Sequence, residues 1–216
     1  MMARFAVDGR PLVKIIHAPD ASPPERYAAS ELRYYLDRMT AVVFEIATEG
    51  GGGPAVYVGK AADARTGRGD RPLGDDGFRL LSRGGDVFIQ GGTRGVIYGT
   101  YELLERLGCR FFTSTCEQVP TEPELAVPHL DEVQVPLFEY REHNYADVTR
   151  NPRFAVKRRL NGNSHPIAAK HGGHLAYAWF VHTFERMVPP ERFAAAHPEY
   201  YALVDGERRF TSGGRH

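Results

Sequence analysis

The sequence has few cysteines and no long apolar run. Its two cysteines, Cys109 and Cys116, are too few for a disulfide framework. No apolar stretch approaches the length needed to cross a bilayer, so we expect no membrane partner. The N-terminal residues Met1–Asp8 become polar before a signal-peptide core could form. This predicts a cytoplasmic location for the sequence as written; a secreted protein would need a start further upstream.

An excess of charge of either sign is also missing. Lys+Arg and Asp+Glu both number 27, and the sequence pI is about 7.1. A chain with this balance lacks the electrostatic attraction that polyanion-binding proteins use, so we expect no nucleic-acid partner. The hydrophobic share of 42% and the charged share of 25% are ordinary for a globular protein. The sequence leaves the oligomeric state open.

Turn and capping signals divide the first part of the sequence into strands and helices. Asp8-Gly9 predicts a hairpin within residues 4–16. Ser22–Glu25 forms a capping box with proline in the first turn of a helix. Strands are also predicted over 44–47, 55–59, 77–83, 86–90 and 109–112, and a surface loop over 63–76.

The glycine-rich sequence Gly91–Gly95 spans the start of a second predicted helix. This helix begins at Thr93 and ends at Gly108. A glycine run at this position could hold a phosphate, but it lacks the Gly-Lys-Ser/Thr ending of a P-loop and the dinucleotide spacing. We favour a glycine-lined packing turn and predict no cofactor. Together the patterns predict an α/β (α+β) domain with a mixed sheet and helices on one face.

After residue 112 the sequence becomes acidic, irregular and rich in proline. Four prolines punctuate the stretch 113–138, which is predicted to be an irregular interdomain connection. Beyond it, the patterns predict strands over Leu137–Arg141 and Leu175–Val181, and helices near 152–159 and from Pro189. This alternation of strands and helices is typical of the first part of a barrel of alternating strands and helices. We therefore predict two domains, 1–130 and 131–216.

Two segments of the sequence resemble known families. Gly91–Phe112 resembles the second helix and last strand of the non-catalytic domain that precedes the barrel in family 20 hexosaminidases and family 67 α-glucuronidases. His182–Leu203, which contains His-Pro-Glu-Tyr-Tyr, resembles the early barrel of an α-glucuronidase-like family known as domain of unknown function 4838. The resemblance extends from about Leu12 to Asp205, and the tail Phe210–His216 departs from it.

The resemblance implies both a fold and a function. It implies a hexosaminidase domain-2-like accessory domain followed by the first βα units of an incomplete (β/α)₈ barrel that hydrolyses or binds glycosides. The stretch after residue 139 is much shorter than the roughly 250 residues of a full barrel. We therefore expect the N-terminal portion of a glycoside hydrolase, of α-glucuronidase or hexosaminidase type and inactive by itself. The alternative is a non-catalytic module that binds carbohydrate or a protein.

Substrate contacts, rather than catalytic groups, are predicted for this sequence. Glycoside hydrolysis usually needs two carboxylates, which the resembled families place on later barrel strands, so we predict no catalytic residue. Arg141 ends the first predicted barrel strand, where the resembled hexosaminidases carry a sugar-binding arginine; a surface ion pair is the alternative. Asn161 begins the predicted turn Asn161-Gly162-Asn163 and could contact sugar hydroxyls, with an ordinary turn as the more usual explanation.

Histidines cluster between residues 165 and 182. The segment His171–His174 contains two histidines, but its glycines prevent the rigid helix of a His-Glu-x-x-His site and nothing supplies a third ligand. We therefore predict no metal. His171, His174 and His182 are predicted as sugar contacts, with structural roles as the alternative. The predicted partner is a carbohydrate, either an oligosaccharide or a uronide.

Overall fold

The computed structural model describes residues 3–179 and 183–210. The strands are β1 Ala3–Arg4, β2 Ala6–Val7, β3 Arg10–Pro11, β4 Lys14–His17, β5 Ile46–Ala47, β6 Ala55–Val58, β7 Phe78–Arg83, β8 Asp86–Gly91, β9 Arg110–Phe111, β10 Glu117–Gln118, β11 Ala126–Val127, β12 Asp131–Gln134, β13 Leu203–Val204 and β14 Glu207–Arg208. The helices are α1 Pro23–Thr40, α2 Lys60–Thr66, α3 Gly95–Arg106, α4 Ala146–Thr149, α5 Pro152–Lys157, α6 Phe184–Met187 and α7 Pro190–Phe193, with 3₁₀ turns at Ala169–His171 and Pro198–Tyr200. Among the described helices, none combines the length and the apolar character required to cross a bilayer.

The chain divides into two compact units, Met1–Leu175 and Ala176–His216, and the first unit is built on a mixed sheet. In the described residues this sheet has six strands in the order β12-β7-β8-β6-β4-β5. β5, β4, β6 and β8 run parallel, whereas β7 pairs antiparallel with both β8 and β12. Gly84 and Gly85, with φ of 63° and 96°, make the tight turn between β7 and β8. The predicted mixed sheet is confirmed.

The two long helices, α1 and α3, pack on one face of this sheet. At the start of α1, Ser22 Oγ accepts a hydrogen bond from the Glu25 N–H and the Glu25 carboxylate accepts one from the Ser22 N–H, as the capping box predicts. Strand residues alternate between the two faces, and Ile16 and Tyr57 lie on the opposite face with Ala62 of α2. α2 replaces part of the predicted surface loop. Its sequence is polar and buries only Ala62, so it carries no helical apolar pattern.

Residues 113–138 contain three short strands in place of the predicted irregular connection. β10 pairs with β9, β11 pairs with β1, and β12 extends the central sheet beside β7. The prolines lie outside these strands, and β12 occupies an edge where one side needs no partner. The first unit therefore continues through residue 130; as a division between accessory domain and barrel, the boundary at 130 stays a prediction.

After β12, three segments without regular secondary structure, 137–141, 160–162 and 173–175, are joined to one another in the first unit; we call them the extended segments. The Asn161 N–H donates to the Arg141 carbonyl over 3.1 Å, and the Leu175 N–H donates to the Asn161 carbonyl over 2.7 Å. The strand prediction for Leu137–Arg141 is wrong, because a single main-chain hydrogen bond joins each pair of segments and no ladder forms. The same holds for residues 175–179 of the other predicted strand; residues 180–181 lie outside the described residues. The predicted helix near 152–159 is confirmed as α5.

The second unit contains α6, α7 and the hairpin of β13 and β14. Tyr201 lies at its centre: its hydroxyl donates to the Val188 carbonyl over 3.2 Å, and its ring makes edge contacts with Phe184 and Phe210. α7 begins at Pro190, one residue after the predicted start at Pro189, and ends at Phe193, which makes it shorter than the sequence pattern suggests.

Candidate functional site

A buried polar cluster connects the central sheet to the extended segments. We call it the Asp76 cluster; it consists of Asp76, Arg94, Arg141 and Asn161. The Asp76 carboxylate accepts hydrogen bonds from Arg94 Nε and from Asn161 Nδ2, the latter over 3.0 Å, and the Arg141 guanidinium lies 3.4 Å away. Its members come from the residues before β7, the start of α3 and two of the extended segments. The cluster therefore fixes the extended segments to the sheet.

Arg141, a predicted sugar contact, directs its guanidinium into this cluster. Nε donates to the Arg159 carbonyl over 2.8 Å, and one terminal nitrogen donates to the Phe138 carbonyl over 2.7 Å. The side chain is mostly buried, so its ion pair with Asp76 is internal and not the surface pair considered as the alternative. A sugar would have to compete with these partners, and the predicted sugar contact stays a prediction.

Asn161 is fully buried and uses each of its polar side-chain atoms. Its Oδ1 accepts from the Arg141 N–H over 2.9 Å, and its Nδ2 donates to Asp76 and to the Glu139 carbonyl, the latter over 2.8 Å. A sugar hydroxyl would have to displace one of these bonds. As a sugar contact, Asn161 stays a prediction; in this structure it bridges the first two extended segments.

A second cluster of polar residues comes after the first two extended segments in the sequence. We call it the strand-end cluster; it consists of Glu142, His143, Ser164 and His165. The Glu142 carboxylate accepts hydrogen bonds from Ser164 Oγ over 2.6 Å, from the Ser164 N–H over 3.0 Å and from the Tyr140 hydroxyl. Burial raises the pKa of Glu142, but the hydrogen bonds from Ser164 and Tyr140 outweigh burial and lower it overall. Glu142 is therefore ionised at neutral pH.

His165 is fully buried, and within the described residues neither of its ring nitrogens has a hydrogen-bond partner. The His143 ring lies edge-on to it, with 6.0 Å between ring centroids. Burial lowers the pKa of His165, so its imidazole is neutral at pH 7. The sequence prediction did not name His143 as a site residue, and it included His165 only as the first member of the histidine cluster at 165–182.

Of the three histidines predicted as sugar contacts, the two described ones, His171 and His174, lie in different environments. His171 is buried against Tyr27 of α1, with 4.4 Å between ring centroids, and burial lowers its pKa. His174 is exposed, with Nδ1 3.4 Å from the Ile167 carbonyl oxygen. His182 lies outside the described residues. As sugar contacts, His171 and His174 stay predictions. No group of three or more potential metal ligands occurs among the residues the structure describes.

A cavity of about 370 Å³ lies beside the strand-end cluster. Its wall contains two exposed aromatic rings, those of Phe112 and Tyr145, which are 59% and 77% exposed. His143 and Arg158 add polar groups. The complete lining is Phe111, Phe112, His143, Tyr145, Asp147, Val148, Phe154 and Arg158. The cavity thus offers flat apolar surfaces together with hydrogen-bond donors.

The carboxylate of Glu117, whose pKa is strongly lowered, contacts Lys157 of α5. It accepts hydrogen bonds from the Tyr35 hydroxyl over 2.8 Å, from Lys157 Nζ over 3.0 Å, and from Arg38. Burial raises the pKa of Glu117, but the bonds from Arg38, Tyr35 and Lys157 prevail and lower it to about 2. Glu117 therefore joins α1, β10 and α5 through its negative charge.

We expect Glu117 to make the stability of the first unit depend on pH. Because its folded pKa lies below the unfolded value near 4.5, its contribution is complete above about pH 4.5 and is lost as the pH falls through about 2. Glu117→Gln should lower the free energy of unfolding at neutral pH by about 1–3 kcal/mol and flatten the acid limb. Urea denaturation followed by circular dichroism over this pH range measures both effects.

Glu124→Gln is the matched control for this experiment. Glu124 is exposed and lies 3.7 Å from Arg4, so its loss should change the free energy of unfolding by less than about 1 kcal/mol. An acid limb that is equally steep in wild type and Glu117→Gln would contradict the role assigned to Glu117.

Two known protein families match parts of this chain. Residues 8–103 match the family described as glycosyl hydrolase family 67 N-terminus, and residues 111–212 match domain of unknown function DUF4838. No curated protein matches the chain. A family GH115 4-O-methyl-α-glucuronidase with specificity for decorated arabinogalactans has a similar structure, with a TM-score of 0.56 and 18% identity over 74% of this chain and 28% of that chain.

A second similar structure is the GH20 β-N-acetylhexosaminidase from Streptomyces coelicolor A3(2). Its TM-score is 0.50 and its identity 18%, over 74% of this chain and 31% of that chain. The chain thus spans less than a third of the length of both enzymes, and at these identities the likeness shows the fold alone. The resemblance found in the sequence is confirmed by these matches: residues 8–103 are similar to the glycosyl hydrolase family 67 N-terminus, and residues 111–212 are similar to DUF4838.

Proposed function

We propose that the chain supplies the accessory domain and the first sugar-binding segments of a glycoside hydrolase of the α-glucuronidase type. One observation carries the proposal: Glu142, His143 and His165 follow two hydrogen-bonded segments and lie close together, and His143 lines a cavity of about 370 Å³. Barrel enzymes bind their substrates at the ends of successive strands, and the segment before Glu142 is the one for which the sequence predicts the first barrel strand. The family 67 and DUF4838 matches support the same assignment.

The cavity beside His143 has the chemistry that a pyranose ring requires. A sugar ring presents C–H groups on its faces, which pack on aromatic rings such as those of Phe112 and Tyr145. Its hydroxyls and a uronate carboxylate find donors in His143 and in the guanidinium of Arg158. The Asp76 cluster supports this function indirectly, because it holds the segments that carry His143 in place.

This part of the site binds sugar and does not transfer protons. A glycosidase acid needs a raised pKa, whereas the pKa of Glu142 is lowered and its carboxylate is occupied by Ser164 and Tyr140. Glu142 instead orders the loop that contains Ser164 and His165. The same observation favours the second candidate function, a carbohydrate-binding module without catalytic activity. In both cases we assign binding to this chain and no hydrolysis.

We expect the chain to bind oligosaccharides that carry 4-O-methyl-glucuronate and to release no sugar from them. Tyr145→Ala should weaken this binding about threefold to tenfold, because it removes a stacking ring from the cavity. Isothermal titration with aldouronic acids measures the affinity, and a reducing-sugar assay tests for hydrolysis.

The control variant is Leu137→Ala, which removes an exposed apolar side chain outside the cavity and should leave the affinity unchanged. Equal binding by wild type and Tyr145→Ala would place the sugar elsewhere and overturn the assignment of this cavity. Sugar release by the isolated chain would overturn the assignment of binding alone.

A further inference from the structure

A second cleft, of about 420 Å³, lies between α1 and α5. Its volume is within the range of roughly 300–1,000 Å³ that is typical of small-molecule sites. We call it the α1–α5 cleft, and it shares only Phe154 with the cavity beside His143. Its lining is Tyr34, Tyr35, Ser114, Thr115, Glu117, Arg150, Asn151, Pro152, Arg153, Phe154 and Lys157. The α1–α5 cleft therefore contains no residue of the strand-end cluster, and no ligand has been assigned to it above.

The charge of this cleft is unbalanced. Arg150, Arg153 and Lys157 line it, and Glu117 is the one carboxylate among its lining residues. The negative charge of Glu117 is already compensated by Lys157 and by Arg38 behind the cleft. The remaining positive charge faces open space, which favours an anionic ligand.

Two guanidinium groups supply this positive charge. The Arg150 side chain is exposed, and within the described residues its guanidinium forms no hydrogen bond or ion pair. Arg153 uses one terminal nitrogen to bind Glu31 over 2.7 Å, while its side chain stays 59% exposed. Arg150 directly follows α4, and Arg153 lies in the first turn of α5. Guanidinium forks bind planar carboxylates through paired hydrogen bonds, so these two groups suit a carboxylate.

An aromatic wall completes the cleft. The ring of Tyr34 is 47% exposed and packs edge-on against Tyr35, with 4.9 Å between centroids. Arg38 lies 5.2 Å from the centre of the Tyr34 ring and donates a hydrogen bond to its hydroxyl over 3.2 Å. These contacts fix the ring and leave part of its surface free. A flat apolar surface beside guanidinium groups fits a ligand that has both a saturated ring and a carboxylate.

We propose that the α1–α5 cleft binds a carboxylate-bearing sugar, with the carboxylate on Arg150 and Arg153 and the sugar ring against Tyr34. A neutral sugar would leave the guanidinium group of Arg150 without an anionic partner, and a simple oxyanion would leave Tyr34 unused. This site is independent of the cavity proposed above, and it would give the protein a second contact with an acidic glycan.

Amide chemical shifts of the ¹⁵N-labelled chain test this proposal, with sodium glucuronate, glucose and sodium phosphate as probes. Glucuronate should shift the amides of Arg150, Asn151 and Arg153 with a Kd on the order of millimolar, and glucose should not. Arg150→Ala should weaken glucuronate binding about tenfold, since one charge-assisted contact is lost, and Tyr34→Ala about threefold. Arg33→Ala, an exposed arginine of α1 outside the cleft, is the matched control and should have no effect.

Three outcomes would overturn the proposal. Equal affinity for glucose and glucuronate would remove the carboxylate from recognition. Phosphate binding as tight as glucuronate, with no effect of Tyr34→Ala, would leave an oxyanion site without sugar recognition. Unchanged glucuronate binding in Arg150→Ala would place the ligand elsewhere. Tyr145→Ala should not affect these shifts, so failure of the cavity beside His143 and failure of this cleft are distinguishable.

Discussion

Asp76→Ala is expected to lower the free energy of unfolding by about 3–5 kcal/mol, because it breaks a buried ion pair by removing one partner. The Arg94 side chain is only 8% exposed, and Asp76 is its closest anion. Arg141 and the side-chain amide of Asn161 would lose the same acceptor. Urea denaturation followed by circular dichroism at neutral pH measures the loss.

Asp75 provides a matched control from the neighbouring position. Its carboxylate also approaches Arg94, at 3.7 Å, but it is 66% exposed, so Asp75→Ala should cost less than about 1 kcal/mol. Asp76→Asn keeps the shape and one acceptor oxygen while it removes the charge, and we expect an intermediate loss. If Asp76→Ala and Asp75→Ala were equally stable, the Asp76 cluster would not be the link between sheet and extended segments.

The Asp76 cluster also connects stability to the proposed sugar site. Asn161 and Arg141 hold two extended segments next to each other, and His143 and His165 follow those segments. Loss of Asp76 should therefore raise amide hydrogen exchange in residues 139–165 before it affects the central sheet. A variant that binds sugar less well for this reason would do so without any change in the cavity lining itself.

Local signals in the sequence were sufficient for part of the fold. The capping box at Ser22 involves residues three positions apart, and the turn at Gly84-Gly85 joins adjacent strands, so each can be recognised from its own segment. The start of α5 at Pro152 has the same local character. β12 could not be predicted in this way, because its partner β7 lies about fifty residues earlier and its own sequence is short and polar.

The candidate site depends on contacts that no local pattern contains. Arg141 was predicted as a sugar contact because it ends the first predicted barrel strand, where the resembled hexosaminidases carry a sugar-binding arginine, whereas its partner Asp76 lies 65 positions away in the sequence. The sequence around His165 gives no signal that its ring is buried or that its nitrogens lack a hydrogen-bond partner among the described residues, since burial results from tertiary packing. His171 packs on Tyr27 for the same reason. Residue type indicated which side chains could bind a sugar. Tertiary packing determined which of their polar atoms already have a protein partner.

The other large effect is expected at Gly95, in the glycine run that the sequence analysis interpreted as a packing turn. A Cβ at Gly95 would lie 1.9 Å from the Gly77 carbonyl oxygen, and one at Gly92 would lie 1.9 Å from the Gly74 carbonyl oxygen. The interpretation is confirmed: these glycines let α3 approach the main chain of residues 74–77. Overpacking typically costs about 1–3 kcal/mol, and this clash is with main chain, so Gly95→Ala should cost at least about 3 kcal/mol. Denaturant midpoints measure this loss.

Gly53→Ala is the control, since nothing lies within 4 Å of its added Cβ, and it should change stability by less than about 0.5 kcal/mol. Because the segment that Gly95 contacts also carries Asp76, Gly95→Ala should displace that carboxylate from Arg94. The two substitutions then damage the same contacts, and the double variant Asp76→Ala/Gly95→Ala should lose less stability than the two single losses combined. Full additivity would mean that the packing turn and the Asp76 cluster act independently, and a wild-type midpoint for Gly95→Ala would contradict the close approach itself.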